Sequence, residues 1–441
     1  MDVTVVETPD LGNRCYVVDD GSVGIVIDPQ RDLDRLDLSG LTSVGLVLET
    51  HIHNDYVTGG LELARRTGAE YGVNAADPVA FDRLPLTDGQ VLSVGTLRVT
   101  VIATPGHTDT HLAYLVESAG EPPVLFSGGS LLHGSVGRTD LLGADRARAL
   151  GLAQLRTARR LGSLDPATRL FPTHGFGSFC ATGSVSTAAG GTIGDELAAN
   201  PVLRVDDEDA FVDALLAGLS AYPAYYAHMA PLNLAGPGAP RVAPLPLPPA
   251  ALDRLLASGT VVDLRDAASY AADHLAGTLS VPLGDQLATY VGWLTPWGGQ
   301  LALLAPTAAD VEDARVRLAR IGIEEVATAS GPLDVVAPDR ERGSFPRRTF
   351  AELATTLAAD DVVLDVRRRD EYAEGRLSGA LNIPLHELAE RYGELPDRRL
   401  WVHCAGGFRA GIGASLLAGL GLDVVHVDDS FGNAVALGLA A

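Results

Sequence analysis

The first half of the chain carries an ordered series of side chains able to bind a metal. Thr50-His51-Ile52-His53-Asn54-Asp55-Tyr56 follows the apolar run Val44-Gly45-Leu46-Val47-Leu48 after a single Glu49. Two imidazoles and a carboxylate are therefore projected from the loop that ends a strand. These groups are the usual ligands of zinc and non-haem iron, and a strand-end loop lets alternate side chains converge. Three further pieces follow: Pro105-Gly106-His107-Thr108, Phe126-Ser127-Gly128-Gly129-Ser130 and Pro172-Thr173-His174-Gly175. Two of them supply another histidine. A lone His on a strand end is most often a satisfied polar residue, but His51, His53, Asp55, His107 and His174 together read as a metal centre.

A second chemistry sits near the C-terminus. The apolar strand Leu400-Trp401-Val402-His403 runs into Cys404-Ala405-Gly406-Gly407-Phe408-Arg409 and then into a helical stretch, Ala410 to Leu417. A thiol at a strand end, a loop bearing Gly406 and Gly407, and a helix N-terminus make an anion cradle. Successive backbone N–H groups point at the sulfur and the helix dipole adds its positive end. Such surroundings favour thiolate over thiol. Arg409 closes the loop and can hold a sulfur oxyanion. The bland reading is a buried inert Cys beside a Gly-rich turn.

Those sites need several domains to carry them. At 441 residues the chain exceeds the size at which one core stops growing. The expected division is 1–235, 248–337 and 346–441. In the first part, Val/Ile/Leu runs alternate with Gly/Asp turns, and helices are predicted over 60–67, 144–161 and 211–219, which fits an αββα sandwich. The stretch from Pro231 to Pro249 is rich in Pro, Ala and Gly and reads as a linker. Beyond it the chain repeats. Val261-Val262-Asp263-Leu264-Arg265 is echoed by Val363-Leu364-Asp365-Val366-Arg367, and Ala276-Gly277-Thr278-Leu279-Ser280-Val281-Pro282 by Ser378-Gly379-Ala380-Leu381-Asn382-Ile383-Pro384. Two copies of one α/β unit with a parallel sheet follow from this. Aligning the copies places Ala305 opposite Cys404, so the first copy lacks the thiol.

Composition narrows the partners. The formal charge is −23 with no Lys in the chain. That balance argues against nucleic acid or an anionic membrane, both of which demand clustered positive charge, and excludes lysine Schiff-base chemistry. The N-terminus has no basic, apolar leader and no apolar run spans a bilayer, so a cytoplasmic location is expected. Three widely spaced cysteines, Cys15, Cys180 and Cys404, are not a disulfide framework. The multidomain build allows a homo-oligomer.

The histidine series resembles the metallo-β-lactamase superfamily, whose motif is Thr-His-x-His-x-Asp-His followed by single ligands from later loops. Cys-x-x-Gly-x-Arg after an Asp-Val-Arg strand and a Gly-Ala-x-Asn-Ile-Pro turn resembles the rhodanese family. Protein tyrosine phosphatases have a longer Cys-x5-Arg loop, and the shorter loop here suits sulfur transfer better than a phosphate ester. The whole order resembles the persulfide dioxygenase-rhodanese fusions of bacterial sulfide oxidation. That resemblance implies Fe(II), with zinc as the alternative, oxidising a low-molecular-weight persulfide with O2 to sulfite. Cys404 would carry a persulfide and give thiosulfate, with Arg409, Gly406 and Gly407 binding the sulfur donor or acceptor. Gly137-Arg138-Thr139-Asp140 and the run from Pro172 to Cys180 also look like the family's motifs, so Arg138 is expected to bind the persulfide's carboxylate or carrier and Cys180 to act as a relay. A surface Arg paired with an acid and a plain buried Cys are the bland alternatives.

Two positions depart from the pattern. Tyr56 stands where the superfamily has a second-site His, which argues against a binuclear hydrolase. Gly129 stands where the dioxygenase iron has its Asp, so the facial triad lacks its carboxylate. A two-His site with waters, a three-His site completed by His53 or His174, and rescue by Asp55 or His133 all remain open. So do two other functions: a rhodanese whose N-terminal domain is a non-oxidising binding module, and a glyoxalase II-like zinc hydrolase acting on a thioester.

Overall fold

The computed structural model describes residues 1–175, 177–182, 191–241 and 245–440. It divides into two compact units, Met1–Arg241 with Ala319–Gly322, and Val242–Leu318 with Ile323–Ala441. No helix among the described residues is long and apolar enough to cross a membrane.

The first unit contains β1 (Asp2–Thr8), β2 (Asn13–Asp19), β3 (Val23–Ile27), β4 (Ser43–Leu48), α1 (Gly60–Thr67), β5 (Glu70–Asn74), β6 (Leu84–Leu86), β7 (Val91–Val94), β8 (Leu97–Ala103), β9 (Leu112–Glu117) and β10 (Val124–Gly128). The chain continues through β11 (Leu131–Leu132), β12 (Ser135–Val136), α2 (Ala144–Gly162), β13 (Arg169–Pro172), β14 (Gly191–Thr192), α3 (Ile193–Ala199), α4 (Glu208–Ala217) and α5 (Tyr226–Ala235). Two six-stranded sheets result, in the orders β1-β2-β3-β4-β5-β6 and β14-β13-β10-β9-β8-β7.

The period-two alternation of the strands explains the layering. Tyr16, Val18, Ile25, Ile27, Leu46 and Leu48 of one sheet pack on Val99, Val101, Leu112, Tyr114, Val116 and Phe126 of the other. The opposite faces hold the helices: Val17, Val26 and Val47 meet Leu61 and Ala64 of α1, whereas Ala113, Leu125 and Leu170 meet Leu155, Ala158 and Leu161 of α2. The unit is an αββα sandwich, as its sequence pattern predicts. β8 and β10 both run antiparallel to β9, and β13 runs parallel to β10. The loops after β8, β10 and β13 therefore leave one edge of the sandwich together. The loop after β4 joins them there, because Leu112 N–H donates to the Thr50 carbonyl at 2.6 Å.

The predicted linker from Pro231 to Pro249 starts too early. Pro231 lies inside α5, whose Met229 and Asn233 are buried. Asn233 Nδ2 donates to the carbonyls of His53 and Tyr56, both at 2.9 Å, and its Oδ1 accepts from Thr58 N–H. These bonds to the histidine loop hold a helix that its own proline weakens. Residues 242–244 of that stretch lie outside the described residues.

The second unit opens with β15 (Leu245–Pro246), α6 (Pro249–Ser258), β16 (Thr260–Asp263), α7 (Ala267–Ala272), β17 (His274–Leu275), β18 (Leu279–Ser280), α8 (Leu287–Leu294), β19 (Leu301–Ala305), α9 (Ala308–Arg320), β20 (Val326–Ser330) and α10 (Leu333–Val336). It continues with β21 (Arg342–Gly343), β22 (Arg347–Arg348), α11 (Phe350–Thr356), β23 (Val362–Asp365), α12 (Arg369–Glu374), β24 (Leu381–Asn382), α13 (Leu388–Arg391), β25 (Leu400–His403), α14 (Phe408–Gly419), β26 (Val424–Val427) and α15 (Phe431–Ala436). The two parallel sheets have the orders β15-β20-β19-β16-β18 and β22-β26-β25-β23-β24, which is one topology twice. Side chains repeat with it. Arg265 grips the Asp263 carboxylate and the Asp273 carbonyl, and Arg367 grips Asp365 and the Gly375 carbonyl. Tyr270 OH donates to the Thr278 carbonyl as Tyr372 OH does to Ala380.

Leu48 is fully buried between the sheets of the first unit. Leu48→Ala is expected to cost about 2–5 kcal/mol of that unit's stability, read as a lower denaturant midpoint by circular dichroism. A loss under about 0.5 kcal/mol, the range of ordinary surface substitutions, would contradict its placement in the core.

Candidate metal centre and thiol loop

The shared edge of the sandwich brings His51, His53 and Asp55 from the loop after β4 beside His107 and His174 from those after β8 and β13. All five are buried. A ligand atom each from His51, His107 and His174 lies within 4.8 Å of the others, and the same holds for His53, Asp55 and His174.

Hydrogen bonds behind the rings decide which nitrogens face inward. Thr50 Oγ1 donates its only proton to Asp28 Oδ2 at 2.7 Å, so it must accept from His51 Nδ1–H at 2.9 Å. Asn13 Nδ2 donates to Asp55 Oδ2 at 2.8 Å, which turns its Oδ1 toward His174 to accept Nδ1–H at 2.9 Å. His107 Nδ1–H donates to the Arg138 carbonyl at 2.7 Å. Each neutral ring is left with its Nε2 lone pair pointing into the site. Burial keeps the rings neutral: it pushes His51 far below the usual imidazole range and drops His107 and His174 to about 3. The Nε2 atoms of His51 and His174 stand only 3.3 Å apart with no proton to share. Facing lone pairs at that distance repel, and a cation between them removes the repulsion. Among the buried atoms without a partner are His107 Nε2 and Asp55 Oδ1. The donor set fits a metal.

His53 plays a different part from His51. Its Nε2 turns away, to Glu49 Oε2 at 3.1 Å, Asp28 Oδ1 at 3.2 Å and Tyr56 OH at 2.9 Å. Burial pushes its pKa down, but the Asp28 and Glu49 carboxylates outweigh this and lift it to about 10. Burial raises Glu49, which Thr58 and Tyr71 also bond; Asp28 is held below the usual carboxylate range by His53 and its threonine donors, against its own burial. Tyr56 OH donates to the Asp28 carbonyl at 3.2 Å, so Tyr56 completes this buried cluster and offers the centre no ligand.

Gly129 is more than a missing carboxylate. A Cβ there would stand 2.3 Å from His107 Cδ2, so the His107 ring occupies the space a side chain would need. The Gly129 N–H donates to His111 Nε2 at 2.9 Å, and His111 Nδ1–H in turn donates to Thr104 Oγ1 at 2.7 Å. His111, stacked on His51 with ring centroids 4.8 Å apart, escaped the sequence reading together with Asn13, Asp28 and Asn233. His111 is four residues after His107, and that spacing within one loop was its only signal.

Three expectations are corrected. Arg138 does not face a substrate: it is buried, with Asp140 bonded bidentately at 2.7 and 2.8 Å and the Phe179 and Ser220 carbonyls taking further donors. Cys180 is buried beside Tyr226, and burial pushes its thiol far up, which fits the plain buried Cys rather than a relay. His133 does not reach the centre, since its Nδ1 sits 3.2 Å from Glu196. Phe176, within the motif that ends at Cys180, lies outside the described residues.

Cys404 follows β25 directly and is 2% exposed. Gly407 has φ +88°, and a Cβ there would lie 2.0 Å from Asp428 Oδ1, so the loop needs glycine at that turn. Gly406 faces open space. Gly407 leads into α14, which begins four residues after Cys404 and whose first N–H groups lack intrahelical partners. The loop is tied from outside: Phe431 N–H donates to the Ala405 carbonyl and His426 Nε2–H to that of Gly407, both at 2.9 Å. Arg409 is not free to hold an oxyanion alone, because Glu371 binds it bidentately at 2.6 and 2.7 Å. In the first copy Ala305 ends β19, and Asp310, in place of Arg409, caps the next helix through Thr307.

Residues 8–174 match the metallo-beta-lactamase superfamily and residues 349–435 the rhodanese-like domain. A hydroxyacylglutathione hydrolase of Acidiphilium cryptum is 30% identical over 231 residues, 47% of this chain and 93% of that protein. A metallo-beta-lactamase from Staphylococcus aureus is similar in structure, with 23% identity, 75% of this chain and 99% of that one covered, and a TM-score of 0.66. ETHE1 from Myxococcus xanthus aligns over 53% of this chain and 99% of its own, with 24% identity and a TM-score of 0.45. The chain belongs to the metallo-beta-lactamase superfamily and carries a C-terminal rhodanese-like domain. It is an enzyme by both domains, and its first unit has a site built for metal.

Elemental analysis of purified variants tests the ligand set. His174→Ala is expected to weaken metal binding by more than the roughly 10–100-fold typical of an outer-shell partner. Gly129→Asp is expected to lower metal content as well, because the new side chain displaces His107. A higher content in Gly129→Asp than in the parent would show instead that position 129 is an open ligand seat.

Proposed function

We propose that the chain oxidises a low-molecular-weight persulfide to sulfite at the metal centre and moves sulfane sulfur through Cys404 to give thiosulfate. The observation that carries this reading is the pairing of a thiol loop in a rhodanese-like domain with a candidate metal site that has no second-metal ligand at Tyr56. Tyr56 and Gly129 replace that ligand and the carboxylate, and Tyr56 is tied into the Asp28 cluster. The relatives named hydroxyacylglutathione hydrolases support a thiol-borne small molecule as substrate.

The residues divide the work. His51, His107 and His174 would hold one Fe(II) through Nε2, with Asp55 beside it. Bound there, the ion supplies activation of O2, and one persulfide, one O2 and one water balance to thiol and sulfite. The bonds from Thr50, Asn13 and the Arg138 carbonyl fix the ring orientations, and burial excludes bulk water. At the second site the Cys404 thiolate attacks a sulfane sulfur, the donor's S–S bond breaks and its leaving group departs with the electron pair. The N–H groups at the start of α14 stabilise the negative charge on the resulting persulfide. Sulfite then attacks the outer sulfur, and Cys404 leaves as thiolate.

A second reading has its own observation. Three neutral imidazoles with an open position are also a zinc donor set, one that generates hydroxide near neutral pH and would suit thioester hydrolysis.

Protein purified anaerobically and loaded with Fe(II) is expected to consume O2 on glutathione persulfide, with thiosulfate formation abolished by Cys404→Ser while O2 uptake persists. Absence of uptake at full iron occupancy sinks the oxidation step and leaves a rhodanese with a non-oxidising partner domain. Hydrolysis of S-lactoylglutathione by the zinc-loaded protein would select the second reading.

A further inference from the structure

The copy that lacks a thiol supplies an aromatic wall to the copy that has one. Tyr290, on α8 of the first copy, is 8% exposed and its ring lies 5.6 Å from that of Phe408, between Gly407 and Arg409 in the thiol loop. Trp293, on the same helix, stacks on His386 of the second copy at 4.8 Å and on Tyr290 at 6.1 Å. α8 is thereby held against the second copy at two points, one of them in the thiol loop. The copies are also joined behind it, where Ser280 N–H donates to Ser415 Oγ at 2.9 Å.

The Tyr290 hydroxyl takes no hydrogen bond from any described residue. The charges acting on it are those of Arg409, Cys404, Glu371 and Arg368, all from the second copy. Burial lifts its pKa to about 12 against the pull of Arg409, so at neutral pH it keeps its proton to donate. Arg409 of the loop is already paired with Glu371.

We propose that Tyr290 is a substrate-binding residue of the Cys404 site, donating its phenolic proton to an oxygen of the sulfur oxyanion that gives or takes the sulfane sulfur. The inference rests on the reading of Cys404 as sulfur carrier. With thiosulfate as donor, the Cys404 thiolate forms a bond to the outer sulfur, the S–S bond of thiosulfate breaks and sulfite departs with the electron pair. Tyr290 meets the oxygens of the departing group and keeps its own O–H bond throughout. Trp293 is a positioning residue that holds α8 in place through His386.

Steady-state kinetics of full-length Tyr290→Phe with thiosulfate and cyanide tests this, because cyanide carries no oxygen. A KM for thiosulfate about 10-fold higher with KM for cyanide unchanged is expected, the loss of one hydrogen bond to a charged group. Equal KM values in variant and parent, or an equal rise for both substrates, overturns the assignment. Mass spectrometry of the parent after thiosulfate treatment separates the two levels. No sulfur gained on Cys404 defeats the carrier reading and this inference with it, whereas sulfur gained by the parent and an unchanged thiosulfate KM in Tyr290→Phe defeat this inference alone.

Discussion

Three buried imidazoles with their lone pairs turned toward one another set the terms for the first unit. Neutral rings so arranged are a liability in an apolar core unless hydrogen bonds hold each from behind and something positive sits in front. The rear bonds run in chains to a carboxylate: Asp28 to Thr50 to His51, and Asp55 to Asn13 to His174. His107 leans on a carbonyl instead, and the residue that owns the carbonyl, Arg138, is clamped by Asp140. Remove any rear partner and a ring gains a second tautomer, which would put a proton where the metal needs an electron pair. The edge of the sandwich is therefore committed by residues behind the rings, spread from β2 to the loop before α2.

That commitment explains the two unusual positions together. A carboxylate at 129 requires room that the His107 ring fills, and a histidine at 56 would strip His53 of the hydroxyl that shares its Nε2 proton. The second cluster, His53 with Asp28 and Glu49, is electrostatically closed: one imidazolium stands among two carboxylates, with threonine and tyrosine hydroxyls meeting the remaining oxygens. Asp28 belongs to both clusters, since its Oδ2 fixes Thr50 and its Oδ1 faces His53. The charge state of one cluster is thus tied to the ring orientation in the other through a single carboxylate. The His107 ring thus fills the space at 129, and Tyr56 is bonded into the Asp28 cluster.

The αββα layering, the duplicated α/β unit, α1 and α2 were legible because alternation and helical period are local and the strands are buried on one or both faces. All five metal candidates were legible because they stand next to strand ends. The supporting shell was not. Asn13, Asp28 and Asn233 are ordinary polar residues whose partners lie far away in sequence, up to 180 residues for Asn233 and His53, and His111 carries only its spacing from His107. Arg138 shows the reverse error: a residue in a motif-like run was read outward, whereas its guanidinium is bonded within the fold. Pro231 misled for a local reason, since a proline-rich stretch reads as linker even where tertiary bonds hold a helix through it. Cys404 read correctly at the strand end, but the Glu371 that neutralises Arg409 lies in α12, too distant for a loop motif to reveal.

The second copy cannot be understood apart from the first. α14, which begins at the thiol loop, buries Ala410, Gly411, Ile412, Gly413, Ala414, Ser415 and Leu417, so it is covered nearly all round rather than along one stripe. A helix of that kind needs neighbours on both sides. Its own sheet covers one side. The other is met by the first copy at β18, where small residues permit close approach and Ser415 accepts the Ser280 N–H. The Gly-rich face that lets α14 lie so close to its neighbours belongs to the same helix that begins four residues after Cys404. The first copy has no counterpart of the thiol, Arg409 or Glu371, yet its helix α8 forms the wall against which the loop is built. The copy without the thiol thus acts on the other copy's site through packing.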